Sequence, residues 1–228
     1  MNSPDSTTYP STAQGNFSRE LAELLIGFSA ILAVLWLPMH EQLIFGPIAL
    51  LAPLAMVLAK RPSLTELGLG MRGLMASLWI LAAAIGLTFV SVIVAQKIGT
   101  YHPLYNPDFG HVYGYILWTF YQQFLLQDYF MPRLGRLLSS DAAIGLAAVL
   151  FAVAHLPNFP LVIATVAWGA VSCLLFRRYR SLYVLGLAQG ILGLCFAVCV
   201  PDSMHHHMRV GLGYIHYHVQ AVPALRHQ

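Results

Sequence analysis

Residues 120–130 read Phe-Tyr-Gln-Gln-Phe-Leu-Leu-Gln-Asp-Tyr-Phe, so Gln122, Gln123, Gln127 and Asp128 stand inside a run otherwise apolar enough to lie in a bilayer. A polar side chain that faces lipid loses its water and gains no partner, so these groups are expected to turn toward one another or toward a wet cavity. His155 and Gln189 lie in later apolar runs and belong with them. At 1.5 Å of helix rise per residue from one face, Gln122 and Gln123 lie roughly 12–14 Å deep, Gln189 roughly 12 Å and His155 roughly 20 Å, so all reach the midplane region. Amides there either tie helices together or donate hydrogen bonds to a developing oxyanion. His155 is either a helix–helix contact or a base, since an unperturbed imidazole titrates near neutrality. Asp128 is expected closer to the membrane face, at headgroup level.

The elements that must position these groups are spanning helices. Of 228 residues, 58% are hydrophobic and 9% charged, with a mean hydropathy of +0.67, where soluble domains run at about 25% charged. The apolar runs are too long and unbroken for barrel strands, which leaves an all-α, polytopic transmembrane bundle. Seven segments are expected, over 21–40, 43–59, 74–95, 111–132, 142–157, 160–177 and 181–201. With seven crossings, Arg19, Lys60, Arg61, Arg72, Arg133, Arg136, Arg177, Arg178 and Arg180 fall on one side, and Lys97, Arg209 and Arg226 on the other. That asymmetry predicts a cytoplasmic amino terminus and an outer carboxyl terminus. Glu20, Glu23 and Glu41 read as interfacial or capping acids. Cys173, Cys195 and Cys199 sit inside apolar runs as packing residues, and a net charge of +3 gives no nucleic-acid footprint.

The order of polar features resembles the CPBP family of intramembrane proteases, which groups CAAX prenyl endopeptidases with bacteriocin-processing (Abi) enzymes. Gln122-Gln123-Phe-Leu-Leu-Gln127 stands where that family carries Glu-Glu-x-x-x-Arg. Phe151-Ala-Val-Ala-His155, followed by Leu-Pro-Asn158, matches its Phe-x-x-x-His motif. Ser181-Leu-Tyr through Gln189 and Gly193 is similar to its His-x-x-x-Asn segment, with Gln and Gly at the His and Asn positions. The likeness covers about 108–200. It implies a cavity with His155, Gln122, Gln123, Gln127 and Gln189 at the catalytic positions and Phe151, Asn158 and Asp128 against substrate. The implied activity is intramembrane endopeptidase cleavage of membrane-embedded or lipid-anchored protein ends, within a lipid bilayer and without nucleic acid, in a bacterial inner membrane. The departures count against it, because an amide cannot act as the general base that a glutamate would be. Exchanging both acids and their cation together, however, is a coordinated neutralisation that a buried site tolerates. A catalytically silent pseudoprotease serving as membrane receptor or assembly factor is therefore the alternative. A transporter is disfavoured by the lack of paired broken helices.

Four parts are expected: a flexible polar tail over 1–20, three amino-terminal helices over 21–107, the family-like four-helix core over 108–201, and a His-rich tail over 202–228. In that tail His205, His207, His216 and His218 are imidazoles that could meet a metal, as could His155. No cofactor is required by this pattern, and zinc is the ion left open. The stretch is expected to be a solvated tail, with a hairpin turning at Gly211-Leu-Gly213 to cap the outer mouth of the bundle as the alternative.

Overall fold

The computed structural model describes residues 11–104 and 108–217, and among these the chain is all-helical. Its long elements are α1 (Ser11–Trp36), α2 (Met39–Leu58), α3 (Met71–Ile98), α4 (Phe109–Phe124), α5 (Met131–Leu137), α6 (Ser140–Val153), α7 (Phe159–Tyr179) and α8 (Leu182–Cys199). Two short turns, α9 (Asp202–His205) and α10 (Gly211–Ile215), follow. Helices α2, α3, α7 and α8 are long and apolar enough to cross a bilayer by themselves. Large apolar side chains such as Leu43, Ile44, Phe89, Ile163 and Val171 are exposed on the outer faces of α2, α3 and α7, as expected where the surrounding solvent is lipid. The protein is an integral membrane protein.

Each segment expected from hydropathy has a helix over it, with two adjustments. Helix α1 begins at Ser11, inside the stretch expected to be a tail, while residues 1–10 lie outside the described part. Its early turns are anchored from elsewhere: Glu20 meets Arg136 at 2.7 Å, and Glu23 meets the fully buried Arg133 at 2.6 Å. Glu20 and Glu23, nine and twelve residues into α1, are thus partners of a buried cation and its neighbour rather than caps of the helix start. The second adjustment is that α4 and α5 are joined without a break by a π-helical segment, Leu125–Phe130, buried at every residue. Such segments re-aim side chains inside an otherwise regular helix and recur at functional sites.

Helix α8 is the central strut. Of its apolar stretch 44% is buried, against 17% for α2 and α3, and it packs on α3, α4 and α7. The α4–α8 contact depends on a missing side chain: a Cβ at Gly186 would lie 2.6 Å from the Phe120 ring. Close approach through small residues is how helices associate where lipid removes the hydrophobic drive between them. Thr119 Oγ1 uses that proximity to donate to the Gly186 carbonyl at 2.9 Å, which fixes Gln123 of α4 beside Gln189 of α8. At the start of α8, Ser181 accepts from the Val184 N–H, and Leu182 N–H donates to Gly68 O at 2.8 Å, tying the α7–α8 corner to the segment before α3.

Candidate functional site

The four glutamines form one directional chain. Gln127 Nε2 donates to Gln123 Oε1 at 3.1 Å and to Ser172 Oγ at 3.3 Å; Gln123 Nε2 donates to Gln189 Oε1 at 2.6 Å; and Gln189 Nε2 donates to Gln122 Oε1. The direction is set by Trp168. Its indole N–H lies 3.1 Å from Gln189 Oε1, and because an indole can only donate, that atom of Gln189 must be the oxygen. Every other amide in the chain is then oriented by its neighbour. Ser172 hands its own hydroxyl proton to Gly169 O at 3.1 Å, so its oxygen is left to accept from Gln127.

The chain ends on a cavity of about 730 Å³ whose walls come from α1, α2, α4, α6, α7 and α8. Gln122, Gln189, His155 and Phe151 line it, with Tyr115, Trp118, Trp168 and many aliphatic side chains. Gln123 and Gln127 are buried behind it, holding Gln189 in place rather than facing a ligand. His155 follows the last turn of α6, with its ring edge-on to Phe151 at 4.9 Å. Its Nδ1 lies 2.7 Å from the Phe151 carbonyl, which can only accept, so Nδ1 carries a proton, and in the neutral ring Nε2 is the nitrogen with the free lone pair.

Two residues assigned to substrate by the resemblance stand elsewhere. Asn158 caps α7 through its side-chain oxygen, which accepts from Leu161 N–H, and donates from Nδ2 to the carbonyls of His205 and Arg209 at 2.9 and 3.1 Å. It fastens the carboxyl-terminal segment to the bundle. Asp128 is buried in the π-helical segment, outside the cavity lining, with no hydrogen-bond partner for Oδ2 among the described residues.

Tyr115 and Trp168 line the cavity and were not singled out from the sequence. A side chain at Gly193 would run into the Tyr115 hydroxyl, so the phenol fills the space vacated by the glycine. A residue seven before Gln122 on the same helix shares its face, and that spacing was the available signal for Tyr115. Nothing in the sequence distinguished Trp168 from the other tryptophans.

Over 202–217 the carboxyl-terminal segment caps the cavity as helical turns, neither the expected solvated tail nor a hairpin of strands. His206, His207 and Met208 all take left-handed backbone, and His207, Met208 and Val210 line the mouth. Gly211 N–H donates to Leu156 O at 2.8 Å. Asp202 holds the turn, accepting from His207 N–H at 2.7 Å and from the Tyr217 hydroxyl at 2.9 Å, with His207 Nε2 at 3.1 Å. His205 is buried, with Nε2 on Val200 O at 2.9 Å; His216 ends α10; and His218 lies outside the described residues. Among the described residues no three His, Cys, Asp or Glu side chains converge as metal ligands, and the cavity's two imidazoles, His155 among the amides and His207 at the mouth, do not make up a zinc donor set. The described residues do not fit that ion.

Burial pushes the His205 and His207 imidazoles below their ordinary value, outweighing the upward pull of Asp202 and aided by the nearby His102 and, at His207, by Arg209 and His206. Burial works to raise Asp202, yet the His207 N–H, the Tyr217 hydroxyl and the two imidazoles hold its carboxyl below the usual range. Both signs agree. Imidazoles that resist protonation when docked destabilise the docked cap as pH falls below about 6.5, where the free side chains charge. The Asp202 contribution is full above about pH 3.9 and is lost only as pH falls further. Backbone hydrogen exchange over 202–217, normalised to intrinsic rates, is expected to be slow at pH 7.5 and to speed up by pH 5; equal protection at both values would refute this.

A model of the family described as type II CAAX prenyl endopeptidase Rce1-like matches residues 13–195. The match extends through α1–α3, which carried no recognisable motif. No curated protein and no solved structure matches the chain.

Proposed function

This chain belongs to the type II CAAX prenyl endopeptidase Rce1-like family, and on that footing we propose that its cavity receives the membrane-embedded or lipid-anchored end of another protein and holds it without hydrolysing it. The observation that carries this reading is the amide chain. Gln127, Gln123, Gln189 and Gln122 are joined donor to acceptor and pinned by Trp168, so the wall where the family places acids is neutral and fixed in orientation. An amide binds a carbonyl or an N–H but does not take a proton near neutral pH. Seven crossings, with the amino terminus on the basic side, complete the proposed topology; the basic-residue asymmetry supports it.

A second reading has one observation in its favour. His155 keeps an unprotonated Nε2 on the cavity side of the Phe151 hydrogen bond, so it could draw a proton from an attacking water while Gln122 Nε2 donates to the oxyanion. The test is purified protein in vesicles with a fluorescent lipopeptide, followed for both binding and cleavage. Wild type is expected to bind and leave the peptide intact. Gln122→Glu puts a carboxylate in an apolar wall that raises its basicity toward neutrality, and it is expected to increase cleavage by about 10²-fold or more. Cleavage by wild type that vanishes in His155→Ala while binding persists would overturn the first reading in favour of the second.

A further inference from the structure

Cys195 and Cys199 stand one turn apart on α8, with their Sγ atoms 3.9 Å from each other. Residues four apart on a helix share a face, and their Cα atoms lie about 6 Å apart, within a disulfide's span. Their Cβ atoms, about 5–6 Å apart at that spacing, must come within about 4.5 Å, so a bridge closes only if the turn deforms. Here it can. Cys199 is the last residue of α8, and Val200 after it is already extended. The thiols also differ in access: Cys195 is buried and Cys199 half-buried, while the third cysteine, Cys173, is buried on α7.

The deforming turn carries the cap. The Val200 carbonyl, one residue beyond Cys199, lies 2.8 Å from His102 Nε2 and 2.9 Å from His205 Nε2; it only accepts, so both imidazoles donate to it. The buried His205 ring rests 5.5 Å from that of Phe196, in the same last turn of α8. Its Nδ1 accepts from the Met208 N–H at 3.0 Å, and Met208 lines the cavity mouth. We propose that Cys195 and Cys199 are a thiol–disulfide exchange site whose co-substrate is a small organic disulfide, and that closing the bridge turns the Val200 carbonyl away and loosens the cap. Cys199 Sγ, as thiolate, attacks one sulfur of the disulfide, forms a mixed disulfide and expels one thiolate. Cys195 Sγ then attacks the Cys199 sulfur, closes the bridge and expels the second. The two protein thiols give up two electrons and two protons, and the co-substrate is reduced to two thiols. A bridge held in a deformed turn is the labile, readily reduced kind. None of this needs a ligand in the cavity, so it stands apart from the function proposed there.

The experiment treats the full chain in vesicles with dithiodipyridine. A pair that bridges releases two thiopyridones, keeps no adduct and loses the mass of two hydrogens; a thiol acting alone releases one and keeps a pyridyl group. Wild type is expected to bridge, with Cys195 and Cys199 joined in the digested peptides. Cys195→Ala is expected to keep the adduct on Cys199, and Cys199→Ala to react at least about tenfold more slowly, because the thiol left beside the cap is buried. Backbone hydrogen exchange over 202–210 is expected to speed up at least about fivefold in the bridged wild type, the change that one lost hydrogen bond gives. It should return to its starting rate after reduction with dithiothreitol, and stay unchanged in treated Cys195→Ala/Cys199→Ala. An adduct retained on wild type, a bridge that includes Cys173, or Cys199→Ala reacting as fast as wild type overturns the exchange site. Cap exchange that ignores the bridge, that stays fast after reduction, or that rises equally in the double variant overturns its link to the cap.

Discussion

Glu23→Ala is expected to destabilise the protein by about 3–5 kcal/mol, the cost of leaving a buried cation without its counter-charge. Arg133 is 1% exposed, and its Nε and Nη2 approach Glu23 Oε2 at 2.8 and 2.6 Å. Its other contacts cannot substitute. Nη1 donates to the Tyr129 carbonyl at 2.8 Å and the guanidinium lies 3.9 Å from the Tyr129 ring centroid, interactions that orient the group but do not neutralise it. Lys60, 3.8 Å from Glu23, lies equally close to Glu20, which it shares with Arg136, so Glu20 is already engaged and is not free to neutralise Arg133. The double variant Glu23→Leu/Arg133→Met is expected to recover most of the loss, because removing both charges together removes the desolvation cost along with the attraction. Unfolding in detergent, followed by fluorescence for the wild type and three variants, measures both the cost and the coupling. A loss under about 1 kcal/mol for Glu23→Ala would mean the pair behaves as a solvated surface bridge, contrary to its burial.

The same pair shows where sequence reasoning stops. Arg133 was counted among the basic loop residues because charge and position along the chain were all that could be read; its burial depends on α1 crossing over α5, a contact between residues 110 apart in sequence. The helices themselves were legible, since twenty apolar residues in lipid have few alternatives. So was the convergence of Gln122, Gln189 and His155, because polar groups at one depth on separate helices have nowhere else to go. The division of labour among the amides was not legible. Gln122 and Gln123 are adjacent and chemically identical, and only the rotation of α4 against α8, set at Gly186, sends one to the cavity and the other behind it. Asp128 shows a related limit: it lies in the π-helical segment that follows Phe124, where the side chains turn differently from those of a regular helix, so its burial against neighbouring helices could not be read from helix counting. The histidine tail was expected to be solvated, with a hairpin as the alternative, but Asp202 and the Asn158 clamp close its described part into turns.

Gln189→Leu is expected to cost about 2–4 kcal/mol and to loosen the ligand-facing amide as well. Gln189 is the branch point of the chain. Its oxygen accepts from both Gln123 and Trp168, and its NH2 holds Gln122. Leucine fills much of the same volume but leaves the Gln123 amide and the Trp168 indole N–H without an acceptor; an orphaned buried donor costs about 1–3 kcal/mol, toward the lower end inside membranes. Trp168→Phe should cost only about 1 kcal/mol, since it removes a donor and leaves Gln189 Oε1 still engaged by Gln123. It has a separate effect, however: without the indole nothing outside the chain dictates which end of Gln189 is oxygen, so the amides can reverse direction and Gln122 can present oxygen where it presented NH2. Lipopeptide affinity is therefore expected to fall in Trp168→Phe by more than its small stability loss accounts for, and to fall in Gln189→Leu together with stability. Both are measured by unfolding and vesicle binding on the same preparations. If Gln189→Leu unfolds like wild type, or if Trp168→Phe binds unchanged, the amides are independent helix contacts and not a chain that transmits orientation from the indole to the cavity wall.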